Sequence, residues 1–443
     1  MQFQRYQKYK PSGIDWLGEI PEGWEVKRLK DVISSNEKSL SNNEDPFFEL
    51  KYIDISNVGT DKLNDKPEVY YFQDAPSRAR RIPRKNDVIL STVRTYLKAV
   101  YFFENIEENT ICSTGFSVLT PKRILPIYLK YNVIGESFID NVIKFSKGVS
   151  YPAINDSELT ALPLFLPNKQ TQTAIADYLD QHTALIDKKM ILLKAKKQSY
   201  TQLKQTLINE VVTKGLDTTV DIKDSGIEWI GQIPKHWEVK RLKDLGFLYS
   251  GLSGKSGDDF HTEKNERDKP FIPFTNISNN TFIKTEDFKF VKIFENEKQN
   301  KVKKGDIFFL MSSENYEDIG KNSLLLDEVN EVYLNSFCKG FRFTAKNLYP
   351  QFINYLLLSK DFRAIMSLGG KGFIRINLSL SKVNDFQVIL PPKTEQIAIA
   401  NYLDEKTSKI DEIIKKIDEN ILALQEFRKT LINDVVTGKV KVL

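Results

Sequence analysis

Ser12-Gly13-Ile14-Asp15-Trp16-Leu17-Gly18-Glu19-Ile20-Pro21-Glu22-Gly23-Trp24-Glu25-Val26-Lys27-Arg28-Leu29-Lys30-Asp31 returns 213 residues later as Ser225-Gly226-Ile227-Glu228-Trp229-Ile230-Gly231-Gln232-Ile233-Pro234-Lys235-His236-Trp237-Glu238-Val239-Lys240-Arg241-Leu242-Lys243-Asp244. A second frame opens at Leu166-Pro167 and again, 224 residues on, at Leu390-Pro391. It matches Ile175-Ala176-Asp177-Tyr178-Leu179-Asp180 to Ile399-Ala400-Asn401-Tyr402-Leu403-Asp404. It also matches Leu207-Ile208-Asn209-Glu210-Val211-Val212-Thr213 to Leu431-Ile432-Asn433-Asp434-Val435-Val436-Thr437. Between these frames, roughly 45–160 and 258–385, the two copies share little, and the second is longer by 11 residues. A period of this length denotes duplicated domains rather than a solenoid. The chain reads as two lobes on a repeated scaffold, and internal pseudo-symmetry suits a pseudo-symmetric target such as duplex DNA with two half-sites.

At 443 residues the chain exceeds a single core and suits two domains with connectors. Its 28 Phe and 18 Tyr let each lobe bury a core, which excludes a disordered scaffold. Lys and Arg number 64 against 59 Asp and Glu, so the net charge of +5 permits a polyanionic partner without demonstrating one. Cys112 and Cys338, one per lobe in apolar company, predict buried thiols and a reducing compartment rather than a disulfide. No run resembles a signal peptide and no apolar stretch is long enough to span a bilayer, so a cytoplasmic protein without membrane association is expected.

From Ile175 apolar residues fall at 175, 179, 186, 190, 193, 200, 207 and 211, in steps of three, four or seven. The second copy repeats the pattern at Ile399, Leu403, Ile410, Ile414, Ile417, Leu424, Leu431 and Val435. Each is a heptad-like seam on a long amphipathic helix. A helix over about 183–213 would be roughly 45 Å long at ~1.5 Å per residue. Gly215 and Gly438 stand where a left-handed stop is expected. The 170–182 segment either joins it straight or bends near His182-Thr183. Ordinary bundle helices within one core are the competing reading, but the seam runs about four heptads in both copies with charged flanks. Two such seams related by a pseudo-dyad would pair antiparallel and hold the lobes apart.

Inside the lobes the pattern turns strand-like. Lys51-Tyr52-Ile53-Asp54-Ile55-Ser56-Asn57 parallels Phe271-Ile272-Pro273-Phe274-Thr275-Asn276-Ile277-Ser278-Asn279, Asn86-Asp87-Val88-Ile89-Leu90 parallels Gly305-Asp306-Ile307-Phe308-Phe309, and Gly115-Phe116-Ser117-Val118-Leu119 parallels Gly340-Phe341-Arg342-Phe343-Thr344. β-branched and aromatic residues bounded by Asn, Asp and Gly predict strands with tight turns. Helical stretches follow at 126–145 and 350–367. Each lobe is expected to be a mixed α/β domain of one curved sheet with a few helices, and with no Gly-rich phosphate turn a doubly wound nucleotide-binding fold is disfavoured.

The repeated Gly-Ile-Asp-Trp-Leu-Gly opening, the Asn-Asp-Val-Ile-Leu strand, the Leu-Pro-Pro-Lys-Thr-Glu-Gln-Ile-Ala segment and the closing Leu-Ile-Asn-Asp-Val-Val-Thr-Gly together resemble the specificity subunit of type I restriction-modification enzymes, across the whole chain. The resemblance implies an α+β protein. Two pseudo-symmetric mixed α/β target-recognition domains, 1–165 and 216–388, are separated by a pair of long antiparallel coiled-coil helices within 166–215 and 389–443. It further implies that each lobe reads half of a split site in double-stranded DNA, that the helices set the spacing, and that two methyltransferase subunits and restriction (motor-nuclease) subunits dock on the frame. Those partners would carry S-adenosylmethionine, ATP and Mg, and this chain would hold no cofactor and perform no catalysis. The first copy departs at Asn168-Lys169-Gln170-Thr171-Gln172 and Lys214-Gly215, positions that touch helix caps.

The residues themselves carry no catalytic motif. The Asp/Asn-Pro-Pro-Tyr/Phe tetrapeptide of an adenine methyltransferase is missing, since Pro391-Pro392 lies between Leu390 and Lys393. No phosphate-binding loop occurs. Gly251-Leu252-Ser253-Gly254-Lys255-Ser256 ends like one, but its glycines stand three apart, so it reads as a mobile loop with Lys255 as a candidate DNA contact. His182, His236 and His261 lack metal-ligand spacing.

Phosphate contacts need Lys, Arg, hydroxyls and backbone N–H groups, and base readout needs forked or amide side chains on loops that enter a groove. Three segments qualify, two of them with a counterpart in the other lobe. The run Ser77–Lys85 holds Arg78, Arg80, Arg81, Arg84 and Lys85, with a merely solvated face as the alternative. After the strand at 86–90 come Thr92, Arg94, Tyr96 and Lys98, with Ser312, Ser313, Asn315 and Tyr316 as counterparts, the best candidates for base reading. The third is Ser146-Lys147-Gly148-Val149-Ser150-Tyr151, matched by Gly369-Gly370-Lys371-Gly372-Phe373-Ile374-Arg375-Ile376-Asn377; its glycines allow close approach to phosphates, and a simple turn is the alternative. Trp16, Trp24, Trp229 and Trp237 recur in the frame and suit a core or subunit-docking role. A two-lobed interaction scaffold that binds no DNA and a self-sufficient modification enzyme are the rival readings. The first leaves the constant frame around divergent contents unexplained, and the second lacks its motifs.

Overall fold

The computed structural model describes residues 4–14, 18–265, 268–372 and 375–442. Trp16 therefore lies outside the described residues, as do Phe373 and Ile374. The chain forms two compact units, Met1–Lys194 with Asp418–Leu443, and Ala195–Ile417. Each combines one lobe with part of both long helices.

In the first unit Glu25–Arg28 pairs antiparallel with Pro163–Leu166, and in the second Glu238–Arg241 pairs likewise with Gln387–Leu390. The repeated segments thus close on each other at the base of each lobe, and the divergent sequence is what they enclose. That sequence forms two four-stranded sheets in each unit, where one curved sheet was expected. In the first lobe one sheet runs Glu68–Tyr71, Glu49–Ile53, Thr110–Ser113, Ala79–Arg81, with a parallel pair at its centre. The other runs Ile33–Ser35, Phe116–Pro121, Val88–Ser91, Val100–Phe102 and is antiparallel throughout. A second layer is required because Val88–Ser91 is buried along its whole length. Val88 and Leu90 face the helices with Tyr128 and Leu129, while Ile89 faces Cys112 and Val118. Successive side chains point to opposite faces, so a continuous apolar strand needs cover on both. Ile307–Leu310 repeats this in the second lobe, Ile307 and Phe309 on one side and Phe308 and Leu310 on the other. Its entry turn is shared too. Asn86 (φ 72°) and Gly305 (φ 85°) adopt the left-handed region, and the carboxylates of Asp87 and Asp306 accept the N–H of Arg84 and Lys303 at 2.8 Å.

The helical stretches are each two helices rather than one. Pro126–Ile134 and Glu136–Phe145 break at Gly135, and Pro350–Leu358 and Lys360–Leu368 break at Ser359, each breaker having an extended backbone. The long helices Lys169–Lys214 and Lys393–Val436 span 46 and 44 residues, and the first is continuous through His182-Thr183. Within the first unit Ile175, Leu179 and Ile186 bury against the core that holds Leu431, Ile432, Val435 and Val436. Within the second, Ile208, Val211 and Val212 share a core with Ile399, Ala400 and Leu403. The pairing is antiparallel, and one ion pair occurs in both copies: Asp187 with Arg428 at 3.1 Å in the first unit, Asp411 with Lys204 at 2.6 Å in the second. Gly215 (φ 78°) and Gly438 (φ 75°) end the helices as expected, each against a tryptophan ring, Trp237 and Trp24. Both tryptophans are buried, and Trp229 packs on Phe362 and Phe386. Cys112 and Cys338 are buried free thiols. Among the described residues no helix is long and apolar enough to cross a membrane.

Candidate nucleic-acid interface

In the first lobe the chain leaves strand Val88–Ser91 at Thr92, whose hydroxyl donates to the Gly115 carbonyl at 3.0 Å. It then enters a tight turn, Thr95–Leu97, flanked by Arg94 (φ 52°) and Lys98 (φ 51°) in the left-handed region. Such backbone is unfavourable for residues with a Cβ and collects at ligand clamps. The turn is fixed from behind by residues 146–154. The Arg94 N–H donates to the Pro152 carbonyl at 2.8 Å, Ile154 N–H to Thr92 at 2.9 Å, and the Thr95 and Ser146 hydroxyls meet at 2.7 Å. The exposed Arg94 guanidinium stacks 4.7 Å above the Tyr151 ring. Together with Asp54, Ser56 and Arg78 they line a cleft of about 560 Å³.

The second lobe builds its cleft on the same supports. Lys371 pairs with Asn377 and Asn377 with Ser312, as Lys147 pairs with Ala153 and Ala153 with Val93. The loop between the paired residues has the same length in both. Ser312, Ser313, Asn315 and Arg375 line a cleft of about 260 Å³ together with Phe274, Glu314, Asp318 and Phe337. Arg375 stacks 4.5 Å over Phe337, and the Ser313 hydroxyl accepts the Asn315 N–H at 3.1 Å. The Asn377 amide donates to the Arg375 carbonyl at 3.3 Å, and Tyr316 is exposed beside Asn315.

The basic run at 78–85 does not act as one patch. Arg78 alone of it lines the cleft. Arg80 stacks on Phe72 and donates to the Ala79 carbonyl, Arg81 reaches the Ser39 hydroxyl at 3.4 Å, and Arg84 pairs with Glu37 at 2.8 Å, while Lys85 is exposed. Lys98 pairs with Asp140 at 3.2 Å and Lys147 with Glu158 at 2.6 Å; Lys147, Ser150 and Tyr96 are exposed. Lys255 is not presented as a phosphate contact. Its side chain is 3% exposed, bound to Glu297 at 2.6 Å and set against Phe294. Its loop is tied down by Gln299, whose amide donates to the Ser253 carbonyl at 2.9 Å, so the expected mobile loop is a braced one. Sequence reading missed Asp54 and Ser56 in one cleft and Phe274, Glu314, Asp318 and Phe337 in the other. The signal was the pair of strands ending at Ile53 and Ile272, each followed through Asp54 or Pro273 by a short helical segment at the cleft. Among the described residues no cluster of His, Cys, Asp or Glu is placed to hold a metal ion.

Two framed lobes with equivalent clefts match a known pattern. The family model for the type I restriction modification DNA specificity domain fits residues 21–197 and again 234–423. The chain belongs to this type I specificity family. Similar to it over its full length is a putative type I restriction enzyme MjaX specificity subunit of Methanocaldococcus jannaschii, 25% identical across 100% of this chain and 99% of the relative. The EcoKI specificity subunit of Escherichia coli K12 is 25% identical over 47% of this chain and 44% of its own length. Among solved structures, a chain from a study of assembly and conformational transition of the type I R-M system superposes with a TM-score of 0.72 at 20% identity, covering 94% of this chain and 98% of that one. The HsdS subunit of Thermoanaerobacter tengcongensis gives 0.52 at 21% identity, over 95% and 98%. These structural likenesses establish that the specificity-family fold extends over both lobes and both long helices.

Proposed function

We propose that this chain is the DNA-reading subunit of a type I restriction-modification complex, with each cleft reading one half of a split site in double-stranded DNA and the paired helices setting the gap between halves. One observation carries the reading. The two clefts stand on equivalent supports, yet the side chains that line them differ, Arg78, Arg94 and Tyr151 in one lobe against Ser312, Asn315 and Arg375 in the other. A constant support with changed contact groups is what a two-part reader of unequal sequences requires. Backbone contacts fall to the exposed Lys147 and Lys371 beside the clefts. Catalysis belongs to the partners. Two methyltransferase subunits would supply S-adenosylmethionine chemistry, restriction subunits would supply ATP- and Mg-dependent cleavage, and the complex would work in the cytoplasm.

The test is the pattern of methylated adenines in a genome that expresses this chain with its methyltransferase subunits. A bipartite motif is expected, and the isolated chain should transfer no methyl groups. Four residues inserted into each long helix at facing positions lengthen the pair by ~6 Å at ~1.5 Å per residue. At ~3.4 Å per base pair, the gap should grow by one or two pairs with both half-sites unchanged. New half-site sequences with an unaltered gap would place specificity in the helices and overturn the reading. A chain that binds its protein partners but no duplex would be an interaction scaffold.

A further inference from the structure

The tip of the 147–153 hairpin stands outside the first cleft and takes no part in lining it. Lys147 and Ala153 close the hairpin, each N–H donating to the other's carbonyl, at 2.8 and 2.9 Å, and Gly148 turns it at φ 108°. Bonds from Arg94 to Pro152 and from Ile154 to Thr92, with the Thr95–Ser146 hydroxyl contact, strap both ends to the turn after strand Val88–Ser91. What this mount holds out is Val149, whose exposure is 101%. The segments strapped together here carry other exposed apolar side chains: Tyr96, Leu97, Phe145 and Tyr151, at 52, 44, 49 and 61%. A lone apolar residue on a surface needs no explanation, but several on segments bonded to one another, among charged residues, suit an interaction surface. Those charges are mainly basic, with Arg94, Lys98, Lys144 and Lys147, and Asp140 and Glu158 offset two of these cations. That balance suits a polyanion with an apolar interior.

We propose that Val149 is a wedge that enters a base step in the half-site bound by the first lobe and partly unstacks it. This rests on the DNA-reading function proposed above. An apolar side chain driven between base pairs unstacks the step and kinks the duplex. Doing so needs a stiff tip on a braced support, and the β-branched valine has few rotamers to lose. The surrounding cations hold phosphates on either side. Pyrimidine–purine steps deform most readily, so the first half-site should carry a TA or CA/TG step at the point of entry. In the second lobe Phe373 follows Gly372 as Val149 follows Gly148, but it lies outside the described residues and the proposal concerns Val149 alone.

The experiment uses the full chain with its methyltransferase subunits and duplexes bearing the methylated motif, with 2-aminopurine placed at each half-site position in turn. Anisotropy reports binding, and 2-aminopurine brightness reports unstacking. Outside the methylated adenines, which a methyltransferase extrudes by itself, wild type should brighten one step of one half-site severalfold; Val149→Ala should abolish that brightening and Val149→Leu should keep it. Because the side chain is wholly exposed, all three chains should share one melting temperature. Tight binding without brightening would overturn the wedge and leave half-site reading intact, as would brightening that persists in Val149→Ala. Binding weakened by Val149→Ala only where a thymine, and not deoxyuracil, occupies one position would replace the wedge by a methyl contact. No binding by wild type to any duplex would overturn the reading on which the wedge rests.

Discussion

Replacing Tyr131 by Phe removes one oxygen from the joint between the first lobe and its long helix. Tyr131 is buried on helix Pro126–Ile134, donates to the Asp180 carboxylate at 2.6 Å and lies 3.1 Å from the Thr183 hydroxyl. Tyr355 repeats this with Asp404 at 2.6 Å and Thr407 at 3.2 Å. Burial, then the carboxylate partner, pushes both phenols far above the usual tyrosine range, so both remain donors. A hydrogen bond to a charged group contributes ~1.5–3 kcal/mol net. The Asp180 side chain is 42% exposed, and water can replace part of the bond, which puts Tyr131→Phe at about 1–2 kcal/mol. Burial raises the Asp404 carboxyl, so that group is harder to rehydrate, and Tyr355→Phe belongs at the upper end. In a unit of this size each kcal/mol lowers the midpoint by about 2–4 °C. Thermal unfolding with hydrogen-exchange mass spectrometry checks both size and place. Tyr131→Phe should weaken protection over 126–145 and 169–190 and spare 350–368 and 393–410; Tyr355→Phe should do the reverse. A midpoint unchanged within a degree in both variants, or equal loss in both units from either, would refute the joint.

Lys147→Ala and Lys371→Ala should each weaken DNA binding and make the slope of log affinity against log salt shallower by about one unit; titration at several salt concentrations decides it. Arg94→Ala should relax base choice at one position of one half-site, at a cost of ~1–3 kcal/mol, whereas Arg84→Ala, whose guanidinium is held by Glu37, should leave the methylation motif unaltered. The two half-sites should differ. Two arginines and one carboxylate line the first cleft, against one arginine, two carboxylates and an amide in the second, so guanine acceptors are favoured more in the first and the amino groups of adenine or cytosine more in the second; an identical, palindromic pair in the methylated motif would contradict this. The Glu37 carboxyl is held down to about 2 by its bond to Lys122, with Ser34 and Arg84 adding to it. A depressed acid gives stability that is present above its unfolded value near 4.5 and is lost as pH falls toward 2. Urea midpoints of wild type should therefore drop more steeply between pH 5 and 3 than those of Glu37→Gln.

The frame was legible because its packing repeats with its sequence: the closing strands, the antiparallel seam and the glycine stops all answer to residues that occur twice. The two layers in each lobe were not, because an all-apolar strand such as Val88–Leu90 announces burial without saying by what. The helix breaks at Gly135 and Ser359 escaped for a similar reason, since one breaker within an apolar run does not outweigh the periodicity around it. In the clefts, residue types were readable but their availability was not. Arg80 and Arg81 leave a strand on opposite faces, and their partners Phe72 and Ser39, like Glu37 for Arg84 and Glu297 for Lys255, come from elsewhere in the chain. Only folding shows which cations are already engaged.

The placement of the joints explains how the contents of a lobe can change while the scaffold stays. The enclosed sequence enters and leaves through a frame strand pair, 25–28 with 163–166 or 238–241 with 387–390. Beside the shared apolar cores, its attachment to the long helices includes polar groups present in both copies: Tyr131 and Tyr355 to the helix carboxylates, and the Gln172 and Gln396 side chains, which accept the N–H of Leu125 and Tyr349 at 2.9 and 2.8 Å. The cleft residues share no partner with these joints. Arg94 and Tyr151 lean on each other, as do Arg375 and Phe337. Substitutions at sites with no common contacts add nearly independently, so changing the cleft lining costs the joints little, and the 11 extra residues of the second lobe are taken up between its frame strands. A chain built this way can exchange the lining of its clefts without redesigning what holds them.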